Sequence, residues 1–257
     1  MKVALTIAGV DSSGGAGVGA DLKAFAAQAV WGACAVTAVT AQNTQGVDAI
    51  ELLSADIVEA QIAAVCDDLL VGAIKTGMLG SAAMVATVAA ALPFGIPLVV
   101  DPVMVATTGA ALFDGEADYA ALLAKATVVT PNAHEAHTLT GVEVVDDDSM
   151  VQAARAVLEF GCHAALVKGG HVGAGPARDC LLIAGQAGPV WLESPRVVSD
   201  ETHGTGCVLS ASIAAGLALD DDIAAACRRG KAAVTQAIQS RVKIGRGVPA
   251  ARPDARS

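Results

Sequence analysis

Met1-Lys2-Val3-Ala4-Leu5-Thr6-Ile7-Ala8-Gly9 runs straight into Gly9-Val10-Asp11-Ser12-Ser13-Gly14-Gly15-Ala16-Gly17, and the passage from one to the other decides the fold class. The first run reads as a buried strand. It is too short for a signal-peptide core with a cleavage site, and it meets Asp11 and a glycine-rich loop. Past the loop, Leu22, Phe25 and Ala26 recur at helical spacing within residues 21–30. Residues 33–40 then read as a second strand leading to Gln42-Asn43-Thr44. Strand, loop, helix and strand make one βαβ unit.

The alternation continues down the chain. Ser54 or Asp56 caps a helix through Leu70, Ala73 to Lys75 is strand, Ser81 opens a helix, and Leu98-Val99-Val100 is strand. Thr127 to Thr130 is the next strand, closed by Pro131. Asp148 caps a helix through Phe160, and Ala164 to Lys168 is strand before the Gly169-Gly170 turn. Cys180 to Ile183 and Val190 to Leu192 read as an antiparallel pair, and helices over 205–219 and 222–239 close the chain. Near-continuous apolar strands alternating with helices argue for an α/β fold with a parallel sheet covered on both faces, whose ligands sit at the carboxyl ends of the strands. One domain over residues 1–257 is the expectation, with a tail from about Arg246 that frays. The Asp runs at 146–148 and 220–222 read as helix caps on solvated loops.

Composition excludes several classes of protein. Sixteen Lys and Arg against 26 Asp and Glu give a net charge of −10, which repels a nucleic-acid backbone, so an anionic ligand must be held by a local cradle. Six scattered cysteines (Cys34, Cys66, Cys162, Cys180, Cys207 and Cys227) contain no C-x-x-C pair, fit neither zinc nor a disulfide framework, and point to a reducing cytoplasm. The most apolar stretch, Val85 to Val100, is broken by Pro93, Gly95 and Pro97 and falls short of the ~20 residues of a membrane span.

Five segments carry side chains suited to chemistry. The loop from Gly9 to Gly17 lets backbone approach a ligand, although it also reads as a plain strand-to-helix turn and is neither a Walker loop nor a dinucleotide fingerprint. Asp101 ends a strand where a carboxylate can hold Mg²⁺ through water; an Asp before Pro is also an ordinary turn residue. Asn132 and Glu135 stand at a strand end and a helix start, as ligands or as an N-cap. Lys168 before Gly169-Gly170-His171 can aim an ammonium at a phosphate, or simply snorkel. Thr202-His203-Gly204-Thr205-Gly206-Cys207 exposes several N–H groups toward one point, as an anion hole for a transferring phosphoryl requires. Cys207 is either an active thiol with a pKa lowered by the helix end or a small packing residue, and His203 reads as a turn residue.

Thr6-Ile7-Ala8-Gly9 through Asp21-Leu22-Lys23, Thr40-Ala41-Gln42-Asn43-Thr44, Lys75-Thr76-Gly77-Met78-Leu79, Asp101-Pro102-Val103-Met104, and Lys168-Gly169-Gly170-His171 with His203-Gly204-Thr205-Gly206-Cys207 together resemble the hydroxymethylpyrimidine/phosphomethylpyrimidine kinases of the ribokinase-like superfamily. The resemblance runs from about residue 3 to about 245. It implies a three-layer α/β/α fold with a central mainly parallel sheet, a homodimer whose active sites are open to lids, and ATP and Mg²⁺ as co-substrate and cofactor. The implied reaction phosphorylates 4-amino-5-hydroxymethyl-2-methylpyrimidine and its monophosphate in thiamine biosynthesis. Gly9, Ala16, Asp21, Gln42, Met78 and Val103 are similar to the pyrimidine pocket, and Asp101 and Glu135 to the pair that organises Mg²⁺. Asn132, Lys168, Thr202, Gly204, Thr205 and Gly206 match positions around the ATP phosphates. Cys207, with the Gly204 to Gly206 backbone, stands where most ribokinase relatives place an aspartate base.

The chain departs from that pattern at Gly19, at Ala133-His134 and at Glu201, where asparagine usually precedes Thr-His-Gly; a carboxylate there bears on the second phosphorylation. A pyridoxal or pyridoxine kinase of the same branch is the alternative enzyme. A catalytically silent vitamin-binding module is the alternative of another class.

Overall fold

A computed structural model describes residues 1–104, 118–170, 172, 175–197 and 202–254. The first strand, β1 (Val3–Asp11), is buried along nearly its whole length because both of its faces are covered. It lies parallel to β2 (Trp31–Gln42) on one side and to β4 (Val71–Thr76) on the other. From β4 the sheet continues in parallel through β5 (Leu98–Val100), β6 (Val128–Val129) and β7 (Ala164–Val167). Antiparallel strands finish both edges: β3 (Val47–Leu52) beside β2, and β8 (Ala177–Ile183) with β9 (Val190–Ser194) beside β7. The strand order is β3-β2-β1-β4-β5-β6-β7-β8-β9. This is the mainly parallel α/β sheet that the sequence predicts.

Alternate strand residues feed two separate cores, which makes three layers. Leu5, Ile7, Ile74, Val100 and Val129 pack with Val58 and Ile62 of α2 (Ala55–Asp68), Met84, Val85 and Val88 of α3 (Ala82–Ala91), and α6 (Asp147–Leu158). Ala4, Ala73, Val99, Val128 and Ala164 face the other way, onto Ala24 and Phe25 of α1 (Gly17–Ala27), α7 (Thr205–Ala218) and α8 (Ile223–Gln239). Small residues on both sides let α7 press directly on the sheet; every α7 residue from Val208 to Ala218 is buried. A helix buried all round has its direction set by the sheet beneath it. Its N-terminus therefore arrives at the strand carboxyl ends, beside the switch point where β1 and β4 lead away in opposite directions.

Several boundaries differ from expectation. Ser81 caps α3 as predicted, accepting from Met84 N–H at 3.2 Å, but α6 is capped by Asp146 rather than Asp148, through a reciprocal bond with Ser149. Asp222 caps α8. The strand β3 and the short α4 (Ala120–Leu123) were not foreseen; β3 is exposed along almost its full length, so no buried face marks it in sequence. The segment from Arg246, expected to fray, is tied down as far as Arg252. Val248 N–H donates to the Thr44 carbonyl, His203 N–H to Pro249, Ala251 N–H to His203, and Arg252 N–H to Ala237. Proline and alanine leave this strap extended, with its backbone free to bond to both neighbouring loops. Among the described residues no helix is long and apolar enough to cross a membrane.

Candidate active site

The strand ends bring two groups of side chains to one face of the sheet. On the β1–β2 side, Asp11 ends β1 and folds the glycine-rich loop around its carboxylate. Oδ1 accepts from Ser13 N–H at 2.8 Å, and Oδ2 from Gly15 N–H at 3.1 Å and Ala16 N–H at 2.8 Å. Burial raises the pKa of Asp11, but hydrogen bonds from His203 and Ser13 outweigh it and hold the group below its ordinary value. Gln42 ends β2, half-buried, with its amide against Thr40 and His203. Gly9 and Met78 are in contact: a Cβ on Gly9 would lie 2.9 Å from the Met78 sulfur. Ala16 is half-buried in the loop, and Val103 sits in the turn after Asp101, donating its N–H to the Asp101 carbonyl at 2.8 Å.

Asp21 is placed differently from the expectation of a pocket-wall residue. It is fully enclosed, with Oδ2 accepting from Lys75 Nζ at 2.7 Å and from the Thr6 hydroxyl at 2.6 Å. Asp21 Oδ1 has no hydrogen-bond partner among the described residues. Burial pushes the Asp21 pKa up, while Asp21 keeps Lys75 protonated against its own burial. Two donors on one carboxylate oxygen mark the pair as ionised. Asp21 and Lys75 therefore form a buried charged pair near Cys207, and Lys75, read from sequence as a strand residue heading one of the motifs, joins the site.

On the β5–β7 side, Asp101 is buried at the end of β5 and gathers three partners. Oδ1 accepts from Lys168 Nζ at 3.0 Å and Thr130 Oγ1 at 3.2 Å, and Oδ2 from Ser210 Oγ at 3.1 Å. Burial opposes ionisation of Asp101, yet Lys168 and Lys75 pull its pKa below the ordinary value. Lys168 also stands 3.5 Å from Glu135, and the two carboxylates keep it charged against burial. Glu135 is shifted upward by burial and by its neighbour Asp101. It serves the helix as well: α5 (Ala133–Thr140) starts with a reciprocal cap in which Asn132 Oδ1 accepts from Glu135 N–H at 2.9 Å and Glu135 Oε2 from Asn132 N–H at 2.7 Å. Of the two readings of this segment, the N-cap is realised, and the carboxylate still reaches Lys168.

The first turn of α7 lies over both groups. Gly204 caps it in the left-handed region, at φ 81°, without a side-chain bond, so the N–H groups of Thr205, Gly206 and Cys207 have no intrahelical acceptor. A Cβ on Gly206 would stand 3.5 Å from Lys168 Nζ and 3.6 Å from Asp101 Oδ2. Cys207 is half-buried, with its sulfur close enough to accept from Gly17 N–H and to feel Lys75, Asp21 and Asp101. Here the expectation of a lowered pKa is corrected. Burial pushes the thiol up to about 11, and Lys75 and the Gly17 N–H only partly offset burial and the two carboxylates. Thr202 adjoins His203 at the edge of the description; Glu201 and His171 lie outside the described residues.

Sequence reasoning missed Lys75, Thr130, His203 and Ser210. For Ser210 a signal exists: with Ser212 it is one of two hydroxyls in the apolar body of α7, and it stands one turn after Gly206. The donor set suits magnesium carried on phosphates. Two carboxylates, Asp101 and Glu135, converge on one cation position, which Lys168 shares, and magnesium takes its remaining ligands from water and phosphate. No group of three or more His, Cys, Asp or Glu side chains that could hold a metal lies among the described residues.

The family model for phosphomethylpyrimidine kinase matches residues 11–251. A hydroxymethylpyrimidine/phosphomethylpyrimidine kinase of Rhizobium meliloti is 48% identical over 252 residues, 95% of this chain and 94% of its own. A pyridoxal kinase of Bacillus subtilis, solved as an ADP complex, superposes with a TM-score of 0.88 at 32% identity over 99% of this chain and 98% of its own. A phosphomethylpyrimidine kinase of Clostridium difficile superposes with a TM-score of 0.79 at 36% identity over 93% of this chain and all of its own.

Proposed function

The chain belongs to the phosphomethylpyrimidine kinase family, and from that premise we propose that it moves the γ-phosphoryl of ATP onto 4-amino-5-hydroxymethyl-2-methylpyrimidine and then onto the resulting monophosphate, in thiamine biosynthesis. The observation that carries the reading is the N-terminus of α7. Its first N–H groups, which have no intrahelical acceptor, start beside a lysine, Lys168, bound to a strand-end carboxylate, Asp101, with Cys207 turned toward the loop that follows β1.

In this reading Gly9, Ala16, Gln42, Met78 and Val103 hold the pyrimidine, with Gln42 pairing its amino edge and Asp21 paired with Lys75 near Cys207. Asn132, Lys168, Thr202 and the Gly204 to Gly206 backbone hold the phosphates. Asp101 and Glu135 would hold magnesium, which supplies charge neutralisation between the phosphates when bound. Phosphoryl transfer has a loose transition state, so fixed donors and position carry most of the rate. Cys207, protonated at rest, contacts the substrate hydroxyl; its thiolate fraction, formed by loss of the thiol proton to solvent and growing as pH rises toward a pKa of about 11, takes the hydroxyl proton late in the transfer. Six free thiols support a reducing cytoplasmic setting. Exposed Val39, Ile50 and Leu52 on β2 and β3 support a homodimer through that edge, testable by light scattering.

Mass spectrometry of the products, with and without Mg²⁺, tests the reaction. Sequential mono- and diphosphate, both requiring the metal, are expected; a product that stops at the monophosphate would remove the second step. The close fit to the Bacillus pyridoxal kinase favours pyridoxal as a second substrate of the same site.

A further inference from the structure

His203 is buried between loops from distant parts of the chain. Its Nε2 lies 2.8 Å from Asp11 Oδ2 and 3.3 Å from Gln42 Nε2, while Gln42 Oε1 lies 3.1 Å from Thr40 Oγ1. Facing a carboxylate oxygen, Nε2 carries a hydrogen, and a ring nitrogen that carries a hydrogen has no lone pair for a second donor. Two N–H groups then face each other, and exchanging the near-isosteric nitrogen and oxygen of the Gln42 amide, which turns its oxygen toward His203, removes the mismatch. The far side of the amide agrees. Thr40 Oγ1 donates to the Val10 carbonyl at 2.9 Å, so after the exchange its oxygen is left to accept from the amide nitrogen at the place Gln42 Oε1 holds, 3.1 Å away. One N–H and one oxygen lone pair of Gln42 remain, side by side and in a fixed order.

We infer that His203, anchored on Asp11, is a specificity-determining positioning residue that sets the order in which Gln42 presents donor and acceptor to the ring of the alcohol substrate. The inference rests on the reading of Gln42 as the pyrimidine contact. A 4-aminopyrimidine edge offers an amino donor beside a ring-nitrogen acceptor, and only one of the two amide orientations pairs with it. The reverse sets donor against donor and acceptor against acceptor, leaving desolvated groups unpaired. The backbone braces His203 for this task. Its N–H donates to Pro249 and its carbonyl accepts from Ala251, while Gly247 N–H of the same strap donates to Thr44 Oγ1, two residues beyond Gln42. Gly15 packs beneath the ring, where a Cβ would lie 2.7 Å from His203 Cδ2.

Steady-state kinetics with the hydroxymethylpyrimidine and ATP test this on His203→Phe, His203→Gln, His203→Asn, Gln42→Ala and the His203→Phe/Gln42→Ala double variant. His203→Phe is expected to raise the pyrimidine KM about tenfold, the equivalent of one misplaced hydrogen bond, with kcat and the ATP KM within about threefold. The glutamine variant, whose amide nitrogen reaches the Nε2 position, should restore the KM; the asparagine variant, one carbon shorter, should not. In the Gln42→Ala background His203→Phe should add nothing, because it acts through Gln42. Equal pyrimidine KM values for the glutamine and asparagine variants overturn the inference, and so does multiplication of the two effects in the double variant. If His203→Phe does not fold, the glutamine and asparagine pair decides alone. An unchanged KM in Gln42→Ala removes Gln42 from the pocket and the inference with it. A raised KM there, with none in His203→Phe, leaves the pocket standing and overturns the role of His203.

Discussion

The carbonyl oxygen of Gly15 occupies the position that a Cβ on Gly204 would need. That contact presses the loop after β1 against the start of α7, and it joins the β1–β2 side of the site to the helix that lies over its β5–β7 side. Gly204 also holds φ 81°, which costs a residue with a side chain roughly 1–2 kcal/mol before any clash. Gly204→Ala is expected to lose about 2–4 kcal/mol in urea unfolding and to reduce kcat far more than a surface alanine does. Near-parent activity would separate the first turn of α7 from the reaction.

Lys75 and Asp21 test the buried charged pair. Removing one member of a fully buried ion pair strands the other, so Lys75→Met should cost about 3–5 kcal/mol of stability, and Lys75→Met with Asp21→Asn should recover part of it. Denaturant unfolding of the two variants side by side decides; an additive double variant would mean that the charges do not depend on each other.

Asp11 predicts an acid limb. Its folded pKa lies below the ordinary 3.8, so its contribution to stability is complete above that value and fades as pH falls through the folded pKa. The stability gap between the parent and Asp11→Asn should hold constant from about pH 7 to 5 and narrow below about pH 4. A gap that widens on acidification would contradict the sign.

Cys207 predicts an alkaline one. With the thiol at about 11, the proton-accepting form grows with each unit of pH, so parent kcat should climb above neutrality while Cys207→Ala stays flat. Near pH 9 the gap should reach about 10²-fold, and Cys207→Asp should retain more activity than alanine at pH 7. Parallel profiles for parent and alanine variant would return Cys207 to packing.

Much of this architecture is legible in the sequence because it is local. Leu98-Val99-Val100 is a strand by its apolar run, Ser81 and Asp222 cap helices by short-range bonds, and Asp101 and Lys168 are conspicuous as charges at strand ends. What was not legible depends on partners distant in sequence. His203 looks like a turn residue until Asp11, 192 positions away, is beside it. Lys75 looks like a stray charge until α1 brings Asp21 over it. The Cys207 pKa failed for a similar reason: a helix N-terminus lowers a thiol, but the burial and the two carboxylates that raise it come from the rest of the fold.

The most direct test of the central claim is the ratio of kcat/KM for the hydroxymethylpyrimidine to that for pyridoxal, followed as ADP release at saturating Mg-ATP. The account expects the pyrimidine to be preferred by at least about tenfold, the worth of one well-ordered hydrogen bond at Gln42. Faster turnover of pyridoxal would contradict it.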